Sequence, residues 1–275
     1  MPDRDALSAV EAFVLLEPQR TRGSAAVKLA MLTLLAQGNL AVVSRSVAGF
    51  FGRRRTSVTL RLGPKGEPGF PGAATLLTLV GRDCTMRQFV DRARRRYGTT
   101  LRGYVVREVR PALQRRGFIE ASTERLFGIF PRQCWRPTAA GQREVTRINR
   151  AIAEAMTIPR WLDRDPAQAA ALAATLGTAI LLAPELKPHY QRLAQAMRAQ
   201  QRADTGPDLS IVGAPDGDMT PGTPPPDFFC PSDFDFAAFD ALDGGFDAFD
   251  AGFADAGDGG GSGGDGGGDG GGSAC

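Results

Sequence analysis

Apolar residues along the chain switch between two periods, and each switch marks a change of element. In AAVKLAMLTLLAQ, Val27, Met31, Leu34 and Leu35 recur at the helical spacing, with Ser24 placed as a cap. Gly38-Asn39 ends that helix. Upstream, Ser8-Ala-Val-Glu11 is a capping box, in which hydroxyl and carboxylate each take up an amide that the first turn leaves unbonded. It opens a short helix to about Leu16. The period then falls to two. LAVVS and TSVTLRL, where Val58, Leu60 and Leu62 alternate with Thr59 and Arg61, predict a β-hairpin.

After the hairpin, GPKGEPGFPG (63–72) holds three Gly-X-Y triplets, far too few for a triple helix, and reads as a linker. The helix–hairpin order then returns. Ala73 to Val80 is a short apolar helix, and Thr85-Met-Arg-Gln88 is a second capping box that opens MRQFVDRARRR. A third helix, TLRGYVVREVRPALQRRG, aligns Leu101, Val105, Val109 and Leu113 on one face, with a kink expected at Pro111. FIEAS, RLFGIF and QCWRP supply strands around a wing, and TAAGQREVTRINRAIAEA closes the unit as a helix. Helices followed by a hairpin are the order of a winged helix. The reading is therefore mainly α with small β-hairpins (α+β), as two winged-helix units over 1–66 and 67–157.

A helical region, 158–202, follows. Asp165 caps, Pro166 sits at the first helical position, and the helix runs to about Ala183, with another after Pro188. The apolar run Ala169 to Pro184 is too short to span a bilayer and reads as a buried helix. From 203 to 275 the composition turns to Pro, Gly and Asp, which cannot bury enough surface to fold alone, so a disordered tail is expected. Within it Phe239, Leu242, Phe246, Phe249 and Phe253 are spaced 3, 4, 3, 4 along one helical stripe. Gly244, Gly245 and Gly252 keep that stripe from being helical by itself. Docked on the body, it would be a candidate intramolecular contact.

Charge sharpens the division. All 33 Lys and Arg lie within residues 1–202 beside fifteen acids, a net of +18, while residues 203–275 hold fifteen Asp and no cation. A basic body beside an acidic tail points to an anionic partner; a coding bias toward Arg accounts for the scarcity of Lys but not for the segregation. The four Cys are scattered, without a CxxC, and His189 is the only His, so no metal site or cofactor is implied. Cys84 and Cys134 read as buried thiols in a reducing compartment. With acids where a signal peptide needs cations, the chain reads as cytoplasmic, with peripheral attachment at the inner membrane as an option.

The stretches LSAVEAFVLL, VKLAMLTLLAQGNLAV, LRGYVVREVRPALQRRGFIEA and RDPAQAAALAATLGTA, with a Phe-rich tail running into glycines, resemble the cytosolic C-terminal part of the YciQ-like predicted bacterial membrane proteins. That family has no assigned activity. This chain lacks the family's membrane helices, so the resemblance does not imply membrane attachment. RRGFIEASTERLFGIFPRQCWRP is similar, more faintly, to the Golgi-phosphoprotein-type phosphoinositide-binding family.

None of the nucleophile-elbow, zinc-protease, P-loop or dinucleotide fingerprints occurs, so the chain is read as non-enzymatic. Three classes of anionic partner remain, with protein preferred. For DNA, Arg107, Arg110 and Gln114 are expected to face outward from the third helix, with Arg94, Arg95 and Arg96 holding phosphate. For an anionic lipid surface, Phe50 and Phe51 at the first hairpin tip stand beside Arg53, Arg54 and Arg55.

Overall fold

The computed structural model describes residues 7–48, 54–64, 68–126 and 130–205, together with Leu242, Gly244 and Phe246. These form a mainly helical α+β body with two small antiparallel sheets. Phe50, Phe51, Arg53, Phe239, Phe249 and Phe253 lie outside the described residues, as do the side chains of Arg54 and Arg55. Among the described residues, no helix is long and apolar enough to cross a membrane.

Local signals set four of the helix starts. The Ser8–Glu11 box opens α1 (Ala9–Leu16), and the Thr85–Gln88 box opens α4 (Met86–Tyr97), each with both reciprocal bonds made. Thr138 caps α7 (Ala139–Ala155), and Asp165 accepts from Ala167 and Gln168 at the head of α9 (Pro166–Leu176). Ser24 does not cap α2 (Gly23–Ala36): the helix begins two residues earlier than that cap implies, after Arg22 and without a side-chain cap. Packing explains the difference. Gly23 lies so close to the backbone of Leu101 that an added Cβ would run into it, so tertiary approach sets this end.

The same helix-to-hairpin joint is built twice. After α2, Gly38 takes φ 72° and the Asn39 amide donates to the Leu34 carbonyl (2.9 Å). After α6 (Arg110–Arg115), Gly117 takes φ 73° and the Phe118 amide donates to the Leu113 carbonyl (2.9 Å). This left-handed turn satisfies carbonyls that a helix end otherwise leaves open, and glycine adopts it without a Cβ penalty. Each joint leads into a hairpin: β1 (Leu40–Ala48) with β2 (Arg54–Leu62), then β4 (Ile119–Leu126) with β5 (Phe130–Pro137). Each hairpin closes on its own start, Gly63 donating to the Asn39 carbonyl (2.8 Å) and Thr138 to the Phe118 carbonyl (3.0 Å).

The two halves nevertheless share their parts. β3 (Asp83–Thr85), from the second half, adds to the edge of β2 through Thr59–Thr85, Leu60–Cys84 and Arg61–Asp83. Buried side chains from α1, α2, α3 (Ala73–Val80), α4, α7 and the C-terminal helices form one continuous hydrophobic cluster. The boundaries at 66/67 and 157/158 divide the chain, but that core is continuous across them.

At the C-terminal end, α9 stops at Leu176 rather than near Ala183, because Gly177 takes φ 53° and leaves the helical region. Two 3₁₀ stretches, Gly177–Leu182 and Pro184–His189, then lead to α10 (Tyr190–Thr205); α8 (Ile158–Arg164) precedes α9. Ala169, Ala170, Ala173, Ile180 and Ala183 are buried, as the apolar run required.

Candidate functional site

The third helix of the second half is where sequence periodicity and structure part. It is assembled from α5 (Arg102–Tyr104), a π turn (Val105–Val109) and α6. Pro111 has no amide to donate and its ring crowds the carbonyl four residues back, so a regular helix cannot pass through it unaltered. The turn before it is widened, and the Arg110 amide bonds the Val105 carbonyl, five residues back. On a regular helix those residues would be turned roughly 140° apart. The π register brings Arg110 toward the buried stripe of Leu101, Val105, Val109 and Leu113 instead.

Arg110 is therefore not an outward partner of Arg107 and Gln114. It is only 5% exposed, donates to the Pro18 carbonyl, and lies over the Trp135 ring at 5.7 Å. Burial, helped by Arg102, lowers its pKa. Its Nε has no hydrogen-bond partner among the described residues. The guanidinium acts as a strut between the loop after α1, the third helix and β5.

The strut has a neighbour that periodicity did not reveal. Glu11 is buried, takes Ser8 N–H and O–H on one oxygen, and receives Arg116 on the other at 3.0 Å. Thus the carboxylate that caps α1 also ties it to the end of α6. Such a pair costs most when one member is removed, because the other is left without its partner.

The exposed cations gather nearby. Arg95 and Arg96 are exposed in the last turn of α4, and Arg94 there is half-buried. Arg107, exposed on the π turn, donates to the Arg96 carbonyl (3.1 Å), so the two are held side by side. Cations at this end complement the helix dipole. Arg102 and Gln114 are also exposed on the third helix, and Val106, beside Arg107, is 43% exposed. Beneath them Tyr97 and Tyr104 meet edge to face at 5.5 Å; Tyr97 donates to Glu108 and Tyr104 to the Pro71 carbonyl. Burial, followed by Glu108, pushes the Tyr97 phenol up to about 12. The tyrosine pair joins the end of α4 to the third helix that carries the exposed arginines.

The opposite character is found along the apolar face of α4, where Met86, Phe89, Val90 and Ala93 are buried. Leu242 and Phe246, both in helical backbone, belong to the same core cluster, with 0% and 1% exposure. The Phe246 ring meets Phe89 edge to face, centroids 6.4 Å apart at 78°.

A cleft of about 420 Å³ is lined by Glu11, Gln37, Phe70, Glu144, Arg147 and Leu182, among others. Glu11 is bound by Ser8 and Arg116, and Glu144 pairs with Arg147. No group of three metal-ligating side chains occurs among the described residues, and His189 stands partly exposed at the end of a 3₁₀ stretch. Cys84 and Cys134 are buried free thiols. Comparison with protein-family models, curated proteins and solved structures finds no match.

Proposed function

We propose that the protein is a non-catalytic interaction module in which two winged-helix-type units, joined through a common core, present an arginine-bearing surface to an anionic protein, with the acidic tail modulating access. The twice-built helix–glycine–hairpin joint supports the winged-helix reading. One observation carries the choice of partner. The end of α4 and the third helix expose Arg95, Arg96, Arg102 and Arg107 together with Val106, and Arg107 bonds the Arg96 carbonyl, a mixture suited to a protein face with both acidic and apolar groups. A DNA-reading helix would use a row of outward polar side chains, and here Arg110 is withdrawn from that row. The module is assigned to the cytoplasm, with no cofactor.

The test compares the whole chain with an Arg95→Gln/Arg96→Gln/Arg107→Gln variant, using an acidic protein, duplex DNA and anionic vesicles across a salt series. The expected result is binding of the acidic protein that the triple variant loses at least tenfold. Preferential DNA binding with a steep dependence on log[salt] would replace this reading with a DNA-binding one. Binding to vesicles alone would move the function to a lipid surface.

A further inference from the structure

Every large side chain in the core cluster except two comes from the body. Leu242 and Phe246 come from the acidic tail, separated from α10 by residues 206–241, and their i, i+4 spacing puts both on one helical face. They are as deeply buried as Phe89, so they are anchors, not incidental contacts.

The charge on the two sides is complementary. α4 carries Arg87, Arg92, Arg94, Arg95 and Arg96 against a single Asp91. In the tail, Asp243 and Asp247 directly follow the two anchors in sequence, and no cation occurs beyond Arg202. The helical backbone at the anchors is disfavoured by composition. Gly244 lies between them in helical backbone, exposed, and a Cβ there would meet nothing within 4 Å. Glycine at such a place weakens a helix about fivefold relative to alanine, with no packing benefit in return. Because the segment belongs to the same chain, its docking is intramolecular, so even weak intrinsic affinity keeps the groove filled.

We propose that the Phe89 face of α4 is a docking groove for an acidic helical segment with two large apolar side chains four residues apart. The tail is its exchangeable internal occupant, and the physiological occupant is a partner protein carrying the same pattern without the glycine. The proposal rests on the body being a cationic docking module and names the partner segment that such a body takes. The helix-in-groove mode supplies its physics: apolar anchors give affinity, and flanking charge gives orientation and rate.

The probe is a fluorescently labelled peptide with the sequence of residues 237–254, titrated into the full-length chain and two full-length variants. Leu242→Ser/Phe246→Ser removes the internal anchors; the peptide is expected to bind this chain at least tenfold more tightly than wild type. Gly244→Ala strengthens the internal helix and keeps the fold, and the peptide is expected to bind it about fivefold more weakly than wild type. Equal binding to all three chains overturns the proposal. A control peptide carrying Ser at the positions of Leu242 and Phe246 is expected not to bind the opened chain. If it binds as well as the first, charge alone is recognised: the groove falls while the arginine-surface reading stands. Anchor-dependent binding that ignores Arg95→Gln/Arg96→Gln/Arg107→Gln supports the groove and removes the arginine surface. Dimerisation of the wild type that Leu242→Ser/Phe246→Ser abolishes would reassign the groove to tail exchange between copies and overturn the partner assignment.

Discussion

Two helices run into the two hairpins through the same glycine turn, and they do different work. α2 is buried nearly all round, with Ala26, Val27, Leu29, Ala30, Met31, Leu32, Leu34 and Leu35 all shielded among α1, α3, α5, β1 and the first 3₁₀ stretch. The α5–α6 helix buries one stripe and keeps Arg102, Val106, Arg107, Gln114 and Arg115 in solvent. A shared local design therefore serves once as the centre of the scaffold and once as a presenting face. The difference lies in what surrounds each helix, and the joint itself is conserved in geometry between the halves.

Truncating equivalent core positions should break the symmetry most visibly. Leu34→Ala and Leu113→Ala are each expected to cost about 2–5 kcal/mol in urea unfolding, with Leu34 at the upper end. Neighbours on every side of α2 cannot all collapse into the hole, whereas the half-open third helix can settle. Equal costs would remove the distinction between centre and face.

A smaller effect probes the link between the halves. Glu11→Ala deletes both the cap of α1 and the partner of Arg116, and is expected to cost about 2 kcal/mol, less than a fully buried pair because Arg116 keeps 27% side-chain exposure. With a shared core, unfolding should remain a single transition that moves to lower urea. Separation into two transitions would mean that the halves fold independently.

The smallest effect tests the likeness of the joints. Gly38→Ala and Gly117→Ala should each cost about 1 kcal/mol, since both force a side chain into left-handed backbone. At Gly117 a Cβ meets nothing within 4 Å, so the cost there is conformational alone. A markedly larger loss at Gly38 would show that packing, not backbone geometry, fixes the first joint.

Features of short range were legible in the residues themselves. The Ser8–Glu11 and Thr85–Gln88 boxes, the Asp165 start and the Gly38 turn each depend on atoms within a few residues, so local chemistry determines them. The stripe Leu101, Val105, Val109, Leu113 was also legible, because one periodic face suffices to mark burial. Arg110 was not. The π turn ahead of Pro111 and the waiting partners Pro18 and Trp135 draw this one side chain inward, and ideal periodicity carries no record of either.

What the sequence by itself determined, then, is the repeated helix-then-hairpin order, the capped heads of α1, α4 and α9, and the division into a cationic body and an anionic tail. Tertiary structure alone decided where the elements share neighbours. It set the head of α2 by the approach of Gly23 to Leu101, and placed β3 on the edge of β2. It also tied Glu11 to Arg116, and seated Phe246 against Phe89. The physical reason is range. Capping and periodicity act over one or two turns, while burial, ion pairing and ring contact join residues that the chain keeps far apart and only folding brings within reach.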